Sequence, residues 1–257
     1  MAGNTSVPGA TVVARTVALL TAFDEQHPRL TLTELSQRAD LPLTTAYRLV
    51  TELTKAGALA RTPTGYVVGQ RLWQLGTLAP VQTDLTRLAS PFLHDFYAGT
   101  LATVHMAVRD GLKVLYLDRI SGQRSVPVVS EIGTRLPLHP TGVGKVLLAH
   151  APEAVQRKAL SQLERVTAYT ITQPAQLKAQ LDRVLVDGYA TTYEEMTLGA
   201  CSVAVPILRG GTEVVAALGI VVPSLKRDKA RLISALQVAA HGIGRSLTRS
   251  GDITGRR

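Results

Sequence analysis

Thr31-Leu32-Thr33-Glu34-Leu35-Ser36-Gln37-Arg38-Ala39-Asp40-Leu41-Pro42-Leu43-Thr44-Thr45-Ala46-Tyr47-Arg48-Leu49-Val50-Thr51-Glu52-Leu53 reads as two short helices around a tight turn. Thr31 with Glu34 three residues on has the spacing of a reciprocal capping box. Leu32, Leu35 and Ala39 recur at helical spacing. Asp40-Leu41-Pro42 breaks the first helix, and proline is tolerated again only in the first turn of the next. The second helix turns Ala46, Leu49, Val50 and Leu53 inward. Its opposite stripe is Thr44, Tyr47, Arg48 and Thr51. Hydroxyls, a phenol and a guanidinium make poor core, but they suit a major groove, where they donate to phosphates and base edges. The spacing predicts a helix-turn-helix whose second helix reads DNA. A solvated polar face on a small all-α unit is the plainer alternative.

The flanks favour the first reading. Residues 10–23 form an apolar helix able to pack behind the pair. Gly57 is a natural helix stop. Residues 59–62, a Pro63-Thr64-Gly65 turn and residues 66–69 read as strand, turn, strand. Three helices and a hairpin make a winged helix-turn-helix over residues 1–69. The candidate DNA contacts are Thr33, Thr44, Thr45, Tyr47, Arg48, Thr51 and Arg61, with Thr62 and Thr64 in reach from the wing.

The chain has 257 residues, 46% apolar and 18% charged, enough for two domains. One cysteine, Cys201, excludes an internal disulfide. No basic segment followed by an apolar run opens the chain, and no apolar stretch reaches about 20 residues, so a cytoplasmic protein with no membrane partner is expected. The net charge of +9 suits a polyanion but does not locate one. Residues 1–75 carry 7 Lys and Arg against 5 Asp and Glu, residues 76–223 carry 13 against 12, and residues 224–257 carry 8 against 2. The excess therefore sits at the C-terminal end, where residues 249–257 are expected to form a basic, disordered tail.

Residues 70–80 read as a linker helix, with Trp73 in dimer packing or core, and residues 81–248 as a second domain. Its helices are expected over 82–98, 141–151, 153–163, 175–187 and 226–247. Its strands are expected over 102–108, 112–118, 189–193, 202–208 and 213–222. The fold class is α+β: an antiparallel sheet flanked by helices.

Four segments carry a family resemblance: Leu43-Thr44-Thr45-Ala46-Tyr47-Arg48-Leu49 within the winged helix-turn-helix, residues 133–145, Gly188-Tyr189-Ala190 with Glu194-Glu195, and residues 199–206. With these, the chain resembles IclR-type bacterial transcriptional regulators over nearly its whole length. The resemblance implies a GAF-like effector-binding domain, assembly as a homodimer or a dimer of dimers, and a double-stranded operator near a metabolic operon. It also implies a pocket for a small, often carboxylated metabolite at Thr141, Gly142 and Val143. There the backbone N–H groups of a helix N-terminus would attract a carboxylate. The chain departs from the better-known small-acid binders elsewhere in that pocket. Thr192 stands at an acidic position, Ser202 at one often held by cysteine, and Gly219 and Val221 at two serines. The loss of polar groups points to a roomier pocket for an aromatic or branched carboxylic acid or ester.

Other motifs carry less. Gly142-Val143-Gly144-Lys145 lacks the glycine and hydroxyl residue of a phosphate loop at positions 139 and 146. Lys145 is expected to pair with a carboxylate or face solvent. Adjacent Glu194 and Glu195 point apart, so joint catalysis is not expected; one is expected to cap or to pair with an arginine. His105, His139 and Cys201 lack zinc-ligand spacing. No catalytic residues, metal or cofactor are assigned. The favoured reading is a sequence-specific DNA-binding regulator, acting as a repressor, whose operator affinity a small acid controls. The alternatives are a hydrolase using Ser202 or Cys201, which lacks a base and a nucleophile elbow, and a sensor whose helix-turn-helix binds protein.

Overall fold

A computed structural model describes residues 11–24, 26–76, 83–122 and 125–254. The chain divides into two compact units, residues 1–81 and 82–257.

In the first unit, α1 (Val12–Leu20) starts on Thr11, whose side chain accepts from the Ala14 N–H. α2 (Leu32–Arg38) carries the expected capping box, with both Thr31–Glu34 hydrogen bonds made. α3 (Leu43–Lys55) follows Pro42. Ahead of it, Asp40 takes a positive φ of 50° to turn the chain. Leu19, Leu35, Ala46, Val50 and Leu59 close a small core. The wing is β2 (Leu59–Thr62) against β3 (Gly65–Val68). A two-residue strand absent from the sequence reading, β1 (Arg29–Leu30), joins the other side of β3, giving the order β1-β3-β2. Gly65 is required there: its φ is 149°, and a Cβ would come within 2.6 Å of the Leu30 carbonyl oxygen. α4 (Gln70–Gly76) covers most of the expected linker helix; residues 77–80 lie outside the described residues.

The second unit begins with α5 (Thr83–Thr100). Its sheet comprises β4 (Thr103–Asp110), β5 (Lys113–Ile120), β6 (Arg135–Pro137), β7 (Ala190–Tyr193), β8 (Cys201–Arg209) and β9 (Glu213–Val222). All neighbours are antiparallel, in the order β6-β5-β4-β9-β8-β7. The remaining helices are α6 (Gly142–Ala149), α7 (Glu153–Leu160), α8 (Pro174–Asp187) and α9 (Lys229–Thr254).

Strand alternation sorts the side chains into two cores. Val104, Met106, Val203, Ile207, Leu218 and Ile220 face α5 and α9. Ala107, Tyr116, Ala204 and Ala217 face α6 and α8, with Val146, Leu148, Leu177 and Leu181. Because both faces are covered, the strands read as nearly continuous apolar runs. α8 stops at Gly188, which takes the left-handed conformation with φ 74°.

Two expectations need correction. Residues 249–254 are not a disordered tail but continue α9 to Thr254, and 255–257 lie outside the described residues. α6 and α7 are shorter than expected, closing at His150 and Ser161.

Candidate nucleic-acid interface and ligand cavity

α3 presents Thr44, Tyr47 and Arg48 to solvent, with Tyr47 57% exposed. Thr33 is exposed on α2 and Arg61 on β2; Thr45 is half-buried. Among the described residues no carboxylate pairs with Arg48 or Arg61, whereas Arg38 is tied to Asp24 and to the Ala22 carbonyl. A free guanidinium on an exposed helix face is available to phosphate or a guanine edge. Thr51 is less available than the sequence suggested, because its hydroxyl donates back to the Tyr47 carbonyl at 2.7 Å. Thr62 likewise donates to the Gly65 carbonyl, at 3.1 Å. At the wing tip Thr64 accepts from Arg29 at 3.0 Å, adding a cation the sequence reading had not placed there.

The second unit holds a half-open, mostly apolar cavity between the sheet and the start of α6. Thr141 caps α6 by accepting from the Gly144 N–H at 3.2 Å. The first helical turn leaves N–H groups without partners inside the helix. Gly142 is needed because a Cβ would lie 2.5 Å from the Ser202 hydroxyl. Thr192 and Ser202, paired across β7 and β8, share a hydrogen bond of 2.6 Å on the wall. Thr141, Gly142, Thr192, Ser202 and Val221 line the space.

Val143 and Gly219 do not line it. A Cβ on Gly219 would meet the His105 ring at 2.7 Å and Val143 at 2.9 Å, so those two side chains already fill the room that a small residue there was expected to create. The apolar character of the wall comes from Val128, Val129, Leu136, Met196 and Ala200.

The sequence reading also missed His105, Tyr116 and Ser130 as wall residues. His105 stands edge-on to Tyr116, with ring centroids 5.1 Å apart. Burial, and secondarily the charge of Arg119, lowers the His105 pKa to about 3, so the ring is neutral at pH 7. Burial pushes the Tyr116 phenol up, opposed by its hydrogen bond to Thr141. The signal for His105 was in the strand: Thr103 and His105 are the polar pair on one face of an otherwise apolar run. Ser130 lies on a loop and left no pattern.

Beside the cavity, Lys145 of α6 is 1% exposed. Its ammonium donates to Glu195 at 2.5 Å and to Gln180 at 2.7 Å. The expected carboxylate partner is therefore Glu195, and Glu195 takes a lysine rather than an arginine. Burial draws Lys145 down and Glu195 up, against their mutual attraction. Glu194 turns away and accepts from the Gly199 N–H at 2.8 Å. His139 meets the Glu164 carbonyl at 2.9 Å. Cys201 is buried on the opposite face of the sheet, its pKa raised by burial. Neither Cys201 nor Ser202 has a hydrogen-bonded base, and among the described residues no group of three or more candidate ligands could hold a metal. No helix among them is long and apolar enough to cross a membrane.

Comparison with known proteins agrees with this geometry. The IclR helix-turn-helix domain matches residues 12–63, and the bacterial transcriptional regulator IclR C-terminal domain matches residues 78–245. The regulator KdgR of Dickeya chrysanthemi is 32% identical over 238 residues, 90% of this chain and 78% of that protein. The regulator BhcR of Paracoccus denitrificans is 33% identical over 85% of this chain and 80% of its own. A crystal structure of an IclR homolog from Microbacterium hydrocarbonoxydans, complexed with 4-hydroxybenzoate, superposes with a TM-score of 0.87 at 32% identity, covering 92% of this chain and 99% of that one. With a helix-turn-helix, a wing and a second unit that holds a cavity, the chain belongs to the IclR family and is a DNA-binding transcriptional regulator, not an enzyme.

Proposed function

We propose that this regulator is a repressor whose hold on its operator is set by an aromatic or branched carboxylic acid bound in the cavity, its carboxylate at the N-terminus of α6. The observation that carries the reading is the cavity itself. Its walls are aliphatic and aromatic side chains and hydroxyls, and among the described residues no Asp, Glu, Lys or Arg side chain lines it. A carboxylate entering it would find the amide end of a helix rather than a countercharge. The relative crystallised with 4-hydroxybenzoate supports an aromatic acid. A relative 28% identical over 90% of this chain, AllR of Salmonella typhi, is named a repressor.

Thr33, Thr44, Thr45, Tyr47, Arg48 and Arg61 form the DNA face in this reading, with Thr51 supporting the helix. Two copies joined through α1 and α4 would set two reading helices one DNA turn apart or a multiple of it. The exposed Val12, Val13 and Val17 on α1, and Trp73 and Leu75 on α4, supply apolar surface for that contact. The acid acts only if it binds the DNA-competent and released states unequally.

The test is a gel-shift titration on the DNA upstream of the gene, with and without a panel of acids. Aromatic or branched acids are expected to release the DNA. The variant Arg48→Ala is expected to weaken DNA binding about tenfold or more while leaving acid affinity unchanged. Release by glyoxylate or pyruvate alone would overturn the assignment of the ligand, and an unchanged shift for Arg48→Ala would remove that residue from the interface.

A further inference from the structure

Two polar side chains on the cavity wall are left without a partner. His105 and Ser130 are each 4% exposed, both line the space, and among the described residues neither His105 Nδ1 nor Ser130 Oγ makes a hydrogen bond. A buried polar atom in that state costs free energy until an occupant satisfies it. A neutral imidazole has one N–H and one lone pair; a hydroxyl both donates and accepts. Together they complement an uncharged hydroxyl. They are poorer hosts for a second carboxylate, which would bring a second buried negative charge into the cavity with no cation to offset its desolvation. Arg119, opposite His105 in the β4–β5 register, is already paired with Glu131.

We propose that His105 and Ser130 form a selectivity element that favours a monocarboxylate bearing an uncharged hydroxyl, over both the unsubstituted acid and a dicarboxylate. The inference rests on the reading above, in which α6 takes the carboxylate. It adds what the opposite demand on the ligand is: one neutral group able to donate and accept, in place of a second charge. Occupied this way, the two orphaned atoms gain partners, and bare benzoate or an aliphatic acid leaves them as they are.

The test is calorimetric titration of the full chain with benzoate, 2-, 3- and 4-hydroxybenzoate, and terephthalate. At least one hydroxybenzoate is expected to bind tenfold or more tightly than benzoate, with terephthalate weaker than both. In Ser130→Ala and in His105→Phe that preference is expected to fall to threefold or less, through loss of hydroxybenzoate affinity. Ser130→Ala on its loop keeps the test open should His105→Phe fail to fold. Equal affinities for benzoate and all three hydroxy acids, terephthalate bound as tightly as the best of them, or a preference that survives in Ser130→Ala would each overturn the proposal while leaving the carboxylate reading standing. No binding by any benzoate would instead bring down the aromatic-acid reading on which the proposal rests.

Discussion

His105 ties part of the acid stability to one buried ring. Its pKa is about 3 in the folded chain and about 6.5 when exposed. The unfolded chain therefore takes up a proton that the native state refuses. The sign follows directly: stability is complete above pH 6.5 and falls as pH drops toward 3. At pH 5 the loss attributable to this group is about 2 kcal/mol. His105→Gln, which cannot titrate, is expected to flatten the pH dependence of the denaturation midpoint between pH 7 and 5; parallel profiles for the two proteins would refute the assignment. Single residues were unevenly legible. The stripe of Thr44, Tyr47 and Arg48 declared itself because polar groups at helical spacing have nowhere to go but outward. Gly219 misled, because the absence of a side chain says nothing about which neighbour occupies the space, and here His105 and Val143 do. Ser130 was invisible: a loop serine acquires meaning only from the wall it faces.

Among elements, α6 carries the most constraint. Gly144 sits in its first turn, where an added Cβ would lie 2.1 Å from the Leu138 carbonyl and 2.3 Å from the Thr141 hydroxyl that caps the helix. Gly144→Ala must push the helix off the 138–141 segment. The expected cost is about 3 kcal/mol, the upper range for overpacking a tight contact, together with loss of acid binding as the amide end moves. Urea denaturation and calorimetry measure the two, and an alanine variant with native stability and affinity would show that the approach is not tight. Long elements were readable for a physical reason: α3, α5, α8 and the strands β4, β8 and β9 repeat their apolar positions often enough to define a period. β1 and β6, at two and three residues, cannot show an alternation; their backbones are held by β3 and β5 rather than by any local preference. The end of α9 was missed because residues 249–254 carry no apolar period, although the helix continues through them.

Across the whole molecule, the two-unit layout was legible, because the wing hairpin and its linker helix end before residue 82, and a long helix followed by a run of strands begins after it. The tie between distant parts of the second unit was not. Lys145 on α6 grips Glu195, fifty residues away in the β7–β8 loop, and Gln180 on α8. The same loop brings Met196 and Thr197 to the cavity. Lys145→Met alone strands a buried carboxylate and is expected to cost about 3–5 kcal/mol, whereas Lys145→Met with Glu195→Leu is expected to regain most of that loss. A double variant as unstable as the sum of its parts would mean the pair contributes nothing jointly. The outer strands of the six-stranded sheet have a consequence of another kind. β6 offers three residues, one of them Pro137 with no N–H to donate, and β7 offers four. So little open backbone gives a foreign strand almost no template. The regulator is thereby guarded, along this sheet, against runaway ribbon formation with its own copies.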